Sequence, residues 1–70
     1  MKEFSITTEY IQLNQLLKLL GWAETGSEAN NLIAGGNVKV NGEIELRKRN
    51  KIYPGFSVEF NLEEVKVVKG

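Results

Sequence analysis

Hydrophobic positions along the chain change their period once, near Gly36, from a helical spacing to a strict alternation. Ahead of that point, Phe4 and Ile6 alternate with polar neighbours and predict a short opening strand. Thr8 then offers a helix N-cap, with Glu9 in the first turn, where the helix dipole favours an anion. Tyr10, Leu13, Leu16, Leu17 and Leu20 recur at helical spacing, and Gly21 supplies a left-handed stop. The Leu stripe reads as core; Gln12, Asn14, Gln15 and Lys18 form the polar face. The stretch TGSEANNLIAGG predicts a second helix. Thr25 and Glu28 have the S/T-x-x-E spacing of a capping box, Ala29, Leu32 and Ile33 form an apolar face, and Gly35-Gly36 ends it. Thr25 follows Gly21 so closely that the two helices must form a tight αα-hairpin, with Trp22 plugging its corner.

After Gly36, Val38 and Val40 precede Asn41-Gly42, and Ile44 and Leu46 follow it, a strong hairpin pattern. A two-residue turn would set Val40 opposite Glu43. A longer connection through Glu43 pairs Val40 with Ile44 and Val38 with Leu46, and turns Lys39 toward Glu45. That register buries four apolar side chains on one face and is the one expected. Ile52-Tyr53, a Pro54-Gly55 turn, Val58–Phe60 and Val65–Val68 predict further short strands. The expected fold class is α+β over residues 1–70 as a single domain: an αα-hairpin packed on a small, mostly antiparallel β-sheet.

Composition narrows the chemistry. The chain has no His, Cys or Asp, so it lacks the usual general base near neutral pH, the best nucleophile and most metal ligands. Its nine acidic residues are all Glu and fit no metal or hydrolase spacing. No enzyme activity, cofactor, metal or small-molecule substrate is expected. No apolar run reaches the roughly 18 residues of a membrane span, and no signal-peptide pattern opens the chain, so the expectation is a cytoplasmic protein with no membrane partner.

Charge is unevenly distributed in a chain whose formal net charge is zero. Residues 37–51 carry five basic and two acidic side chains, and four of the cations, Arg47, Lys48, Arg49 and Lys51, fall within five positions of ELRKRNK. Screening over about 8–10 Å lets such a patch attract polyanions whatever the total charge. Extended strands would project Arg47 and Arg49 on the same side as Lys39, giving a basic stripe. The capped start of the second helix adds free amides at Gly26 and Ser27 as a phosphate seat, and Asn41 can reach sugar or base edges.

The stretch LNQLLKLLGWAETGSEANNLIAGGNVKVNG resembles the RNA-binding domain first described in small-subunit ribosomal protein four, an S-four-type domain. Leu13, Leu17, Gly21, Ala29, Ile33, Gly36 and Val38-Lys39-Val40-Asn41-Gly42 occupy the places of that family's pattern, and EIELRKRNKIYPGFSV is similar to a stand-alone bacterial branch of it. The resemblance spans roughly residues 9–60. It implies a non-catalytic domain binding structured RNA, ribosomal or transfer, with a ribosomal subunit as a plausible partner surface. The family's Arg-Leu-Asp is Gln12-Leu13-Asn14 here, its Ser-Arg helix start is Thr25-Gly26, and Phe56 stands where an Asp usually follows the later Gly. Two family arginines are thus absent, and RNA binding is expected to shift to Lys39, Arg47, Lys48, Arg49 and Lys51, assisted by Ser27, Gly26 and Asn41. Two alternatives have different chemistry. A β-grasp sulfur carrier also uses Val-x-Val-Asn-Gly, but needs a reactive Gly-Gly tail and opens with a hairpin, whereas this sequence ends Lys69-Gly70. A protein-interaction adaptor would set the basic stripe against an acidic partner.

Overall fold

The computed structural model describes residues 2–70. In chain order the elements are β1 (Lys2–Ile6), β2 (Ile11–Gln12), α1 (Leu13–Leu19), α2 (Gly26–Ala34), β3 (Val38–Val40), β4 (Glu43–Ile44), β5 (Lys51–Ile52), β6 (Ser57–Phe60) and β7 (Glu63–Lys69). Five strands form one sheet in the order β1-β7-β6-β3-β4, and β2 and β5 form a separate antiparallel ribbon. Within the larger sheet only β1 and β7 run parallel, from Lys2 opposite Val65 to Ile6 opposite Lys69. The two helices pack on one face of this mixed sheet, as the α+β reading expects. Two consecutive helices between the first strands and the hairpin leave no β-grasp order.

Alternation along the strands decides which face is covered. Val38 and Val40 of β3, Val58 of β6 and Val65 and Val67 of β7 are buried, whereas Lys39 and Lys66 between them are exposed. Against the buried row lie Leu13, Leu16 and Leu17 of α1 and Ala29 and Ile33 of α2. Each buried Val, Leu or Ile side chain contributes about 1.5–3 kcal/mol. Trp22 closes the interhelix corner by packing on Phe60, ring centroids 5.6 Å apart.

Both helices end as their glycines predict. Gly21 and Gly36 have φ of +78° and +77°. The amide of Trp22 donates to the Leu17 carbonyl and that of Asn37 to the Leu32 carbonyl, with Gly21 and Gly36 donating to Lys18 and Ile33. Each end is therefore a Schellman motif. At the start of α2, the Glu28 amide donates to Thr25 Oγ1 at 3.1 Å, and Glu28 Oε1 accepts from the Glu24 amide at 3.2 Å. The capping box thus closes one residue earlier than its usual return bond.

Two local expectations are corrected. Helix α1 starts at Leu13, not after Thr8, and has no acidic residue in its first turn. Thr8 Oγ1 instead donates to the Tyr10 carbonyl, and the chain stays extended through Gln12 so that Ile11 can pair with Ile52. The hairpin keeps the two-residue turn: Val40 pairs with Glu43 and Lys39 with Ile44. Asn41 and Gly42, at φ of +53° and +86°, satisfy the two positive-φ positions of a type I′ turn, and that geometry overrides apolar pairing. Ile44 and Leu46 consequently stand 58% and 59% exposed instead of joining the core.

Two glycine substitutions should move stability in opposite directions. A Cβ at Gly21 or at Gly26 meets nothing within 4 Å, but only Gly21 has positive φ. Gly21→Ala is expected to cost about 1 kcal/mol through the left-handed backbone alone. Gly26→Ala, in helical conformation, should gain about 0.4–1 kcal/mol by restricting the unfolded chain. Urea unfolding of both variants reads the two signs.

Candidate nucleic-acid interface

Three of the four clustered cations, Arg47, Lys48 and Arg49, lie off the strands, and the fourth, Lys51, opens β5. Between β4 and β5 the chain makes a turn in which the Asn50 amide donates to the Arg47 carbonyl at 3.3 Å, placing Lys48 and Arg49 at its tip. Two carbonyls of this turn face the start of α1: Lys48 accepts from the Asn14 amide at 3.1 Å, and Asn50 from the Leu13 amide at 2.9 Å. Gln12, the N-cap, makes no side-chain capping bond, so the turn satisfies donors that a local Ser or Asp usually would.

Glu45 fixes the same turn from within. Its Oε2 accepts from the Arg47 amide at 3.0 Å and from Arg47 Nε at 2.9 Å, while Oε1 accepts from Arg47 Nη2 at 3.1 Å and Asn50 Nδ2 at 3.1 Å. The side-chain bonds from Arg47, outweighing the effect of burial, hold the Glu45 carboxyl below the usual glutamate range. The same bonds raise the Arg47 guanidinium. The Nε–Nη2 edge of the Arg47 fork is thus committed to Glu45, although the side chain itself stays exposed.

Arg49 is placed differently. It borders a small hollow with Gln12, Asn14, Gln15, Lys18 and Gly26, where the polar face of α1 meets the first turn of α2. The hollow is framed by Asn14, whose Nδ2 donates to Asn30 Oδ1 at 3.1 Å and whose own enclosed Oδ1 accepts no bond among the described residues. On its other side Arg49 lines a larger groove of about 710 Å³ with Glu43, Lys51, Tyr53 and Phe56. Lys51 lies over the Tyr10 ring at 5.0 Å, a cation–π contact that steadies its ammonium at the rim.

Of the sequence-predicted site residues, then, Arg47, Arg49 and Lys51 share this groove, Lys48 sits beside Arg49 at the turn tip, and Arg49 reaches Gly26. Ser27 follows Gly26 as an exposed residue in the first turn of α2. Lys39 does not join them. It lies on the outer face of the sheet beside Glu59 and Phe60, but the shorter hairpin register sets Ile44 opposite it and β4 ends there, so the expected stripe from Lys39 to Arg49 does not form. Asn41 is engaged internally: its amide donates to the Ser57 carbonyl at 2.8 Å and its Oδ1 accepts from the Ser57 amide at 2.9 Å, tying the hairpin to β6.

The sequence profile of the S4 domain matches residues 4–68. The chain belongs to the S4 domain family. It is 49% identical over 59 residues to the Escherichia coli protein YbcJ, named as a proposed RNA-binding protein, covering 84% of each chain. YbcJ of Shigella flexneri matches to the same extent. The solution structure of Escherichia coli YbcJ, described as revealing an αL motif involved in RNA binding, superposes with a TM-score of 0.72 at 46% identity, covering 97% of this chain and 87% of that one.

Within this S4 domain, the polar residues of α1 that border the hollow, Gln12, Asn14, Gln15 and Lys18, were legible only as a solvent face. Their i, i+3, i+4 relation placed Asn14, Gln15 and Lys18 together, but nothing local showed that Arg49 would meet them. The sequence offers Glu45 as the cross-strand neighbour of Lys39 and as the first residue of a Glu-x-Arg-x-x-x-Lys run, and neither reading shows that its carboxylate binds Arg47 and Asn50.

The anchoring carboxylate should make the turn pH-dependent. Because its native ionisation lies below the unfolded value, Glu45 contributes stability that is complete above the unfolded glutamate value and is lost as pH falls through the lower native one. Amide signals of Arg47 and Asn50 followed by NMR should shift over that acidic window, and Glu45→Gln should abolish the transition while the strands remain folded.

Proposed function

We propose that this protein binds structured RNA, ribosomal or transfer, without catalysing a reaction on it. The binding face comprises Lys18, Lys48, Arg49, Lys51 and the first turn of α2. One observation carries this reading: Arg49 and Lys18 border the same hollow as Gln12 and Gly26, the two positions where the family pattern resembled here has arginines. Cations arriving from elsewhere in the chain thus serve the surface that the missing ones would have served. The names and structure of the YbcJ relatives support the same ligand class.

An RNA duplex presents phosphates and 2′-hydroxyls along a shallow minor groove, and its deep major groove excludes side chains. Arg49 offers forked donors to a phosphate, while Lys48 and Lys51 act as point charges. The amides of Gly26 and Ser27 lie in the first turn of α2, where no intrahelical acceptor is available, and add donors beside Arg49. Arg47 contributes by building the turn, its Nε and Nη2 being committed to Glu45. Such a face selects shape more than sequence and gains specificity from a second surface, for which a ribosomal subunit in the cytoplasm is the natural candidate.

With about four phosphates neutralised, log K for a stem-loop RNA should fall against log salt with a slope of roughly −3 to −4. Arg49→Ala combined with Lys48→Ala should weaken binding about tenfold or more and flatten that slope by about 2. Gly26→Arg, which restores a family cation at a position with open space, should tighten binding and steepen the slope by about 1. Fluorescence anisotropy titrations measure all three. Unchanged affinity in the double variant, or equal displacement of RNA by polyglutamate, overturns the reading. Crosslinking in lysate followed by sequencing of the attached RNA identifies which RNA is held.

A further inference from the structure

The larger groove contains more than a phosphate-binding surface needs. One wall is aromatic: Tyr53 and Phe56 line it, ring centroids 5.8 Å apart and planes inclined by 56°, and Tyr10 backs Tyr53 at 5.6 Å. This wall is held rigidly, because the Phe56 amide donates to the Tyr53 carbonyl across the Pro54-Gly55 turn, and the Gly55 amide donates to the Val67 carbonyl of β7 at 2.7 Å. Glu43 lies across the hairpin edge of the same groove. Its carboxylate has no ion pair or side-chain hydrogen bond among the described residues, in contrast to Glu45. An unpaired carboxylate on the wall of this groove disfavours a phosphate beside it. It attracts a neutral group that presents N–H donors.

We infer that this groove accepts one unpaired guanine of the bound RNA, stacked on the Tyr53–Phe56 wall and held by Glu43. Rings that are half-buried, as Tyr53 and Phe56 are, can stack any base on their accessible faces, at about 1–3 kcal/mol per base, so the wall alone supplies affinity and not choice. The choice comes from Glu43. A carboxylate accepts two parallel N–H bonds, and among the four bases only guanine offers two adjacent donors, N1–H and N2–H, on its Watson–Crick edge. Arg49 connects the two sites, since it borders both the hollow beside Gly26 and this groove. A strand whose phosphate rests on Arg49 has its next unstacked base at the groove mouth. At about 710 Å³ the groove lies within the ~300–1,000 Å³ range of small-ligand sites.

This inference rests on the RNA-binding reading above and deepens it from duplex shape to a stem with a bulged nucleotide. The test uses the full chain and four hairpin RNAs with one stem, carrying no bulge, or a single bulged guanine, inosine or adenine. The bulged guanine is expected to bind about tenfold tighter than the fully paired stem and several-fold tighter than inosine, which lacks the N2 amine. Glu43→Gln, at an exposed residue free of internal bonds, should erase the guanine-over-inosine difference while leaving affinity for the paired stem intact or slightly raised. Tyr53→Leu should reduce the advantage of every bulge, with its fold checked by thermal melting. If the paired stem binds but the guanine bulge adds nothing, or Glu43→Gln leaves the preference unchanged, the guanine site is wrong and the RNA-binding reading stands. If none of the hairpins binds, the RNA-binding reading itself fails.

Discussion

Two backbone hydrogen bonds, from the amides of Leu13 and Asn14 to the carbonyls of Asn50 and Lys48, tie the start of the first helix to the basic turn. A seven-residue helix cannot hold itself in water, and this one has no side-chain cap at Gln12. Its first turn is completed only when the turn docks, and the turn is held in place by that same docking. The ribbon of β2 and β5 brings the two segments together, with Ile52 buried beneath it. The cations therefore move with the hydrophobic core and do not drift as a loose loop.

That arrangement has an electrostatic cost that suggests its use. Arg49 lies near the positive ends of both helix dipoles and Lys48 near that of α1, a like-sign placement that an unliganded protein gains nothing from. Glu45 offsets part of it by neutralising Arg47, and Lys48, Arg49 and Lys51 are left without an ion-pair partner among the described residues. A bound polyanion would relieve the strain of that charge distribution at the same place where its backbone has donors to meet. A chain of zero net charge can thus hold a strongly directional field at one corner.

The parts of the fold that were legible in the sequence are those governed by neighbours a few positions away. Gly21 and Gly36 announced both helix ends, Thr25 announced the start of α2, and the Leu stripe and the alternating valines named most of the core. The errors lie where partners are distant or where two local rules compete. Thr8 looked like a cap because nothing in the sequence shows that Asn50 will supply one instead. At the hairpin, the apolar pairing of Val40 with Ile44 competed with the positive-φ demand of Asn41-Gly42, and turn geometry won. The same error broke the expected stripe: Lys39 keeps the outer face that alternation gives it, but the shorter register sets Ile44, not Glu45, opposite it, so the odd-numbered positions after the turn fall on the other side. For the candidate site, the cluster of basic residues was visible but its division of labour was not. Which arginine keeps its forked edge free depends on Glu45, whose carboxylate engages that of Arg47.

The parallel pairing of β1 with β7 governs how the chain can be made. β1 has no other partner in the sheet, and its neighbour lies more than sixty positions further along. As a nascent chain emerges, the helices and the hairpin can form from what is already present, but the opening strand must wait until residues 63–69 are synthesised. Contacts of such long separation slow folding and leave an unpaired edge exposed in the interim. Completion of the sheet is therefore a late event, set by the arrival of β7 and not by the order in which its strands appear.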